Sequence, residues 1–162
     1  MTLTSPQERV LDAFGVPSEP GNERIALARV ADVVASLGLT ADQLERLKTA
    51  VAEATMNAIE HGNHNNPEID VDIAVVETPD GVAVTITDHG GFAAVDEHVE
   101  LPDLAAKLAG AQSPRGWGLF LIENMVDAMH VSTDGDKHTV RLTMRTAASE
   151  HGPEGGSRAE QV

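Results

Sequence analysis

The 162-residue chain has no cysteine and no tyrosine, and its aromatic residues are a single tryptophan and three phenylalanines. Without cysteine the protein can form neither a disulfide nor a thiolate zinc site, and it has no cysteine nucleophile. Because aromatic side chains are scarce, the core must be built from Ala, Val, Leu, Ile and Met. The apolar fraction of 41% and the chain length suffice for one compact domain with a real core.

Basic residues are also few, since 11 Lys and Arg stand against 26 Asp and Glu, for a formal net charge of -15. Binding to phosphate-rich surfaces needs clustered Lys and Arg, so we expect no direct contact with nucleic acid or with an anionic membrane. No apolar run approaches a membrane span, and the N-terminus shows no signal pattern. The sequence therefore predicts a soluble cytoplasmic protein.

The first half of the chain predicts a strand, two helices and a hairpin. "RVLDAFGV" (9–16) favours a strand, and a helix capped by Asn22 is expected to run to Gly38. Thr40 and Gln43 form a capping-box pattern at the start of the next helix, which should end near residues 61–62. Segments 69–78 and 82–88 alternate apolar and polar residues around a "PDG" turn, which predicts a hairpin. One buried stripe is expected on the second helix, formed by Leu44, Leu47, Val51, Ala54 and Ala58.

The second half begins with a long irregular segment, 90–116, which contains one short helical piece, "LPDLAAKLAG". A connection of this length is usually functional or mobile. An apolar helix over 118–129 and a strand pair, "MHVSTD" and "HTVRLTMRT", complete the pattern. We expect residues 1–8 to be frayed, 9–146 to form the domain, and 147–162 to be a disordered acidic tail. The fold class predicted is α+β, a two-layer sandwich with a mostly antiparallel sheet covered by helices.

Two polar residues, Glu53 and Asn57, lie one helical turn apart in "VAEATMNAIEHGN" and off the buried stripe. An amide oxygen is a suitable ligand for Mg²⁺, which keeps water and phosphate oxygens in its shell. A nearby carboxylate can deprotonate or orient an attacking hydroxyl. Taken alone, the pair is equally compatible with a solvated helix face.

Asp88 ends the second hairpin strand and is followed by "HGG". Its carboxylate can accept a hydrogen bond from an exocyclic amine such as that of adenine, while Gly90 and Gly91 leave room for a flat base. The same residues are also usual in a tight turn at a strand end.

The stretch "SPRGWGLFLIEN" places Gly116 and Gly118 directly before the apolar helix. Free backbone N–H groups at a helix N-terminus form a phosphate site, and Arg115 could contact a terminal phosphate. A helix that simply starts after glycine is the alternative. The irregular segment upstream is suited to closing over a nucleotide as a lid.

No histidines show the spacing of metal ligands on one helix, and most are expected in surface or loop positions. The seven are His61, His64, His89, His98, His130, His138 and His151.

Taken together, these motifs resemble the GHKL ATPase superfamily, which comprises gyrase, heat-shock chaperone, histidine kinase and mismatch-repair ATPases. "EATMNAIEHG" looks like the N box, "DHGG" like the D-x-G-x-G box, and "RGWGLFLIENMVD" like the G box that ends the lid. The chain is most similar to the small bacterial anti-sigma-factor serine kinases, over about residues 9–146. Phe92 stands at the last glycine of D-x-G-x-G, a position that this subgroup also relaxes.

The resemblance implies a Bergerat-type pocket for ATP and Mg²⁺. In it Glu53 would be the catalytic carboxylate, and Asn57 would bind Mg²⁺. The residues implied for the nucleotide are Asp88 and Gly90 at the adenine, Arg115, Gly116 and Gly118 at the phosphates, and Thr139 on the adenine side.

The function that the resemblance implies is an anti-sigma factor with serine kinase activity. It would sequester a sigma factor, phosphorylate an anti-anti-sigma (STAS-domain) protein on serine, and work as a homodimer. A second hypothesis is a nucleotide-binding switch that regulates a partner, such as a phosphatase, by contact alone. A histidine kinase fragment is disfavoured because no dimerisation helix pair with a phosphoacceptor histidine precedes the domain. A chaperone-type or topoisomerase-type ATPase is disfavoured because no transducer domain follows.

Overall fold

The computed structural model describes residues 7–90 and 121–146. In chain order these form β1 (Arg9–Pro17), α1 (Glu23–Val34), α2 (Ala41–Asn57), a π-helical turn (Ala58–Gly62), β2 (Asp70–Thr78), β3 (Gly81–Asp88), a helical stretch at 121–125, β4 (Ala128–Asp134) and β5 (Lys137–Arg145). The predicted segment 101–110 and the tail 147–162 lie outside the described residues.

The five strands form one sheet in the order β1-β2-β3-β5-β4, and every neighbouring pair is antiparallel. Both helices pack against each other and against one face of this sheet. Alternation of apolar and polar residues explains the arrangement, because it turns one row of side chains per strand toward the helices. The predicted α+β class, a helix layer on an antiparallel sheet, is confirmed.

The core lies between the sheet and the two helices, and it is aliphatic as the composition requires. Its largest fully buried side chains include Val30, Val34, Leu47, Val51, Ile73, Ile86, Leu142 and Met144. The predicted stripe on α2 faces this core, with Leu44 only partly buried at its start. Within the described residues, no helix is long and apolar enough to cross a membrane.

The predicted capping box at the start of α2 is confirmed. Thr40 Oγ1 accepts a hydrogen bond from Gln43 N at 3.0 Å, and Gln43 Oε1 accepts one from Thr40 N at 2.9 Å. The Gln43 amide also donates to the carbonyl oxygen of Arg145 at 2.7 Å. The cap therefore fixes the start of α2 to the end of β5 as well as ending the helix.

Asn22 occupies the N-cap position of α1, as predicted, but its side chain does not cap the helix. Asn22 already has helical dihedral angles, φ -73 and ψ -9, and makes no side-chain cap. Its amide donates instead to the carbonyl oxygen of Pro17 at 2.9 Å, so it closes the turn after β1. The helix also ends earlier than predicted, at Val34, and turn residues lead to Gly38, whose φ is +91.

The apolar helix predicted over 118–129 is also too long at its C-terminal end. Within the described part it ends at residue 125, and β4 begins at Ala128. Asp127 causes the change, because its backbone N–H donates to Thr143 O at 3.0 Å and its carboxylate accepts from Arg145 N at 2.6 Å. Because of these bonds to β5, the chain leaves the helix and enters the sheet about one helical turn before the apolar pattern ends.

At the N-terminus, Glu8 falls within the segment predicted to be frayed. Its carboxylate accepts a hydrogen bond from Arg141 at 3.0 Å, which holds it against the sheet.

Candidate functional site

The site is built at the C-terminal end of α2, where the buried stripe places Ala54 and Ala58 against the sheet. Glu53 and Asn57 occupy the adjacent face, and both are only half-buried. They project from one side of the helix a single turn apart, as their spacing predicts. Asn57 is the last α-helical residue and directly precedes the π-helical turn.

The π-helical turn widens the helix at this point. Asn63 N donates to Ala58 O at 2.8 Å, a bond that spans five residues instead of four. Such turns are rare and are often found at functional sites. Here the turn carries Gly62 against the end of β3, where an added Cβ would overlap the carboxyl group of Asp88. A Cβ on Gly90 would in turn overlap the carbonyl of Gly62.

Asp88 is therefore enclosed by backbone and is 2% exposed. Gly90 N donates to Asp88 Oδ1 at 3.1 Å. On the other oxygen, His138 Nδ1 lies 3.2 Å from Asp88 Oδ2, within hydrogen-bond distance. The pair follows from strand register, because Asp88 and His138 are direct partners in the β3–β5 ladder and share the helix-covered face.

A small cleft adjoins this carboxyl group. Its floor is apolar, and its polar groups come from α2, β3 and β5. The lining residues are Ala54, Asn57, Ala58, Ile86, Asp88, His138 and Val140. A mostly apolar cavity with a few convergent polar groups is the usual form of a small-molecule site.

The Asn57 amide has a property that fits a ligand site. Its Nδ2 atom is buried and has no hydrogen-bond partner within residues 7–90 and 121–146. An unpaired buried amide is costly, and rotation by 180° would present the oxygen at the same point. A phosphate oxygen bound in the pocket would accept from the N–H group, and a metal ion would be coordinated by the amide oxygen. The residues present thus fit the Mg²⁺ and nucleotide that the sequence analysis expected.

Burial raises the pKa of the Glu53 carboxyl, and the negative charges of Glu60 and Glu23 raise it further. A raised pKa means a stronger base, which suits a carboxylate that takes a proton from a hydroxyl group. Within the described residues, no group of three or more His, Cys, Asp or Glu is positioned to hold a metal ion.

Asn63 links the segments around the site, although its sequence context predicted only a loop position. It is 2% exposed. Its amide donates to Ser18 Oγ at 2.9 Å and to Asp70 O at 3.2 Å. Its oxygen accepts from His89 N at 2.8 Å, so one side chain joins the ends of β1 and β3 to the start of β2. In the sequence, only its position directly after the glycine that ends a polar helix face could have indicated that Asn63 belongs to the site.

Among the predicted site residues, the structure brings Asn57, Asp88 and Gly90 together, with Glu53 one turn away. Thr139 lies elsewhere, because β5 turns it to the opposite sheet face, where its hydroxyl is 2.9 Å from that of Thr87. Arg115, Gly116, Gly118 and Phe92 lie outside the described residues.

His138 is the buried exception among the described histidines, most of which are exposed or partly exposed as expected; it is 3% exposed and lines the pocket. Its alternation with Val140 and Leu142 in "HTVRL" gave the signal for an inward-facing side chain.

Comparison with known proteins agrees with this architecture. Residues 16–144 match the model of the histidine kinase-like ATPase domain family. The anti-sigma F factor of Oceanobacillus iheyensis is 37% identical over 139 residues, which cover 85% of this chain and 92% of that protein. That of Geobacillus thermodenitrificans is 39% identical over 127 residues, covering 78% and 84%.

Two solved structures share the fold. The SiaB–SiaC complex from Pseudomonas aeruginosa gives a TM-score of 0.60 at 17% identity, covering 83% of this chain and 89% of the matched chain. The RsbU and RsbW domains of a Mycobacterium tuberculosis protein give a TM-score of 0.59 at 19% identity, covering 83% and 32%. At such low identity these likenesses concern the fold alone.

Proposed function

Because the chain belongs to the histidine kinase-like ATPase family, where its relatives include anti-sigma F factors, we propose that it is an ATP-dependent anti-sigma factor with protein-serine kinase activity. It sequesters a sigma factor and phosphorylates an anti-anti-sigma protein of the STAS class on serine. The observation that carries the proposal is the convergence of Asn57 and Asp88 on one pocket, in a chain 37% identical to an anti-sigma F factor.

Each residue has a role that its surroundings support. Asp88, buried and held at both oxygens, accepts from the exocyclic amine of adenine. Asn57 supplies an oxygen ligand for Mg²⁺, an ion that takes few protein ligands and neutralises phosphate charge when bound. Glu53 accepts the proton of the serine hydroxyl, for which its raised pKa suits it. Arg115, Gly116 and Gly118 are assigned to the phosphates by their sequence motif.

Phosphoryl transfer tests the proposal directly. The protein is incubated with Mg²⁺, γ-labelled ATP and a STAS-domain anti-anti-sigma protein, and phosphoserine is mapped by mass spectrometry. We expect E53Q to lower the transfer rate at least about 100-fold, the usual contribution of a general base. Nucleotide binding should remain within about threefold, because Glu53 does not line the pocket beside Asp88.

E45Q is the matched control, since Glu45 lies on the same helix and pairs with Lys48 at the surface. It should transfer phosphate at the normal rate. Tight ATP binding without phosphoserine in the unaltered protein would refute the kinase and favour the switch hypothesis. No observation on residues 7–90 and 121–146, or on the relatives, now favours that hypothesis. Co-purification with a sigma factor, lost when the STAS protein is added, would test the sequestering role separately.

A further inference from the structure

The buried imidazole of His138 is the polar group of the pocket to which the proposed function gives no role. It lines the cavity together with Asp88, opposite the helix that carries Asn57. Apolar neighbours, Ile86 and Val140, flank the pair along the two strands. A histidine is not needed to fill such a space, since a branched aliphatic side chain would pack there without a polar atom to bury.

His138 determines what Asp88 can offer to a ligand. His138 Nδ1 lies 3.2 Å from Asp88 Oδ2. An ionised carboxylate can only accept, so beside it the imidazole adopts the tautomer that carries its proton on Nδ1 and donates to this oxygen. Gly90 N donates to the other oxygen at 3.1 Å. With a donor on each oxygen, Asp88 is held as an acceptor, and the lone pairs that remain can only receive hydrogen bonds. A base in contact with Asp88 must therefore present a donor.

Asp88 also has little freedom to turn away from an unsuitable base. Gly62 lies so close that even a Cβ would overlap the carboxyl group. A nucleotide whose base carried a carbonyl in place of the exocyclic amine would place oxygen against oxygen in an apolar cavity. Such unpaired contacts are strongly disfavoured because water cannot relieve them.

We propose that His138 is a positioning residue for base selectivity, which acts by holding Asp88 as an obligate hydrogen-bond acceptor. It makes the pocket prefer a purine with an amine at the six-position over one with a carbonyl there. This inference rests on the proposed nucleotide site. It assigns to His138 a role in selecting the base, distinct from a role in packing the core.

Calorimetric titration with ATP and with inosine triphosphate measures this preference, because the two ligands differ at the six-position of the base. We expect the unaltered protein to bind ATP at least about tenfold more tightly. H138N and H138L form a matched pair of nearly equal shape. The Asn amide can take the place of Nδ1 and should keep the preference, whereas Leu has no donor and should reduce it to less than about threefold.

The control is T143V, a substitution on the same strand that lies on the opposite face of the sheet. It should leave both affinities unchanged. Thermal unfolding reports whether each variant folds, and H138V, which is β-branched and suits a strand, replaces H138L should the latter fail to fold.

Four results would overturn the inference. If the donor-free variant folds and keeps the full preference, or loses affinity for both nucleotides by one common factor, His138 serves packing alone. If the unaltered protein binds ATP but shows no preference, base selectivity is refuted while the proposed function stands. If it binds no ATP, both fail together.

Discussion

Glu53 carries a carboxyl group whose environment opposes ionisation, through burial first and then through Glu60 and Glu23. Because the folded protein holds this proton more tightly than the unfolded chain does, stability falls as pH rises from the ordinary glutamate value of 4.5 through the raised pKa. We expect E53Q to remove this cost. The free energy of unfolding at neutral pH should rise by less than about 1 kcal/mol, since solvent screens part of the effect.

Urea unfolding at neutral and at acid pH checks this expectation. The gain should disappear as pH falls to 4.5 and below, where Glu53 is increasingly protonated in both states. E45Q removes an exposed carboxyl that pairs with Lys48, so it should give no gain at either pH. A gain of equal size at both pH values would show that the amide stabilises the helix for reasons unrelated to charge.

The side chain of Asn63, between α2 and β2, connects three strands through hydrogen bonds. Asn63 makes a buried bond to Ser18 Oγ and partly buried bonds to Asp70 O and from His89 N. We expect N63A to lower the free energy of unfolding by about 2–4 kcal/mol, because it leaves several buried groups unpaired at once. Chemical denaturation measures the loss.

N63D separates the two sides of this network. Aspartate can still accept a hydrogen bond from His89 N but cannot donate to Ser18 or Asp70. We therefore expect N63D, like N63A, to lower the free energy of unfolding relative to the unaltered protein. N66A is the control, since Asn66 makes one exposed bond, to Glu68 N, and should cost less than about 1 kcal/mol. Equal effects of N63A and N66A would refute the role assigned to Asn63.

For the molecule as a whole, nucleotide binding should appear as added stability. A ligand that binds only the folded state stabilises it by about 2.7 kcal/mol at 100 times its dissociation constant, or roughly 5–11 °C in Tm for a chain of this size. We expect ATP with Mg²⁺ to produce such a shift, and ATP with a chelator to produce a smaller one.

N57A should abolish the difference between these two conditions, because it removes the proposed metal ligand at the pocket wall. E45Q should retain it. Differential scanning fluorimetry at several ATP concentrations provides the comparison. An N57A protein that still responds to Mg²⁺ as the unaltered protein does would contradict the metal assignment.

Local patterns predicted much of this fold because they are governed by local physics. The alternation in 69–88 specified the hairpin, and Thr40 with Gln43 specified the start of α2, since each depends on contacts a few residues apart. The end of the 118–129 helix was mispredicted for the opposite reason, because it is decided by bonds from Asp127 to β5.

The candidate site was likewise predictable only where its geometry follows from residues close together in sequence. Spacing along one helix placed Glu53 and Asn57 on one face, and a strand end placed Asp88. The contact between Asp88 and His138 joins residues 50 apart in sequence, so it follows from the register of β3 and β5 and not from any local pattern. The same register turns Thr139 to the far face of the sheet.

Gly62 places the backbone of the helix end directly against the carboxyl group of Asp88, with no side chain between them. The distance between the helix end and Asp88 is consequently set by contact of the Gly62 backbone with the Asp88 side chain, with no second side chain between them to adjust. A substitution in the distant core that slides the helix by a fraction of an ångström would alter this distance. Such a change would weaken nucleotide affinity without touching any residue that meets the nucleotide.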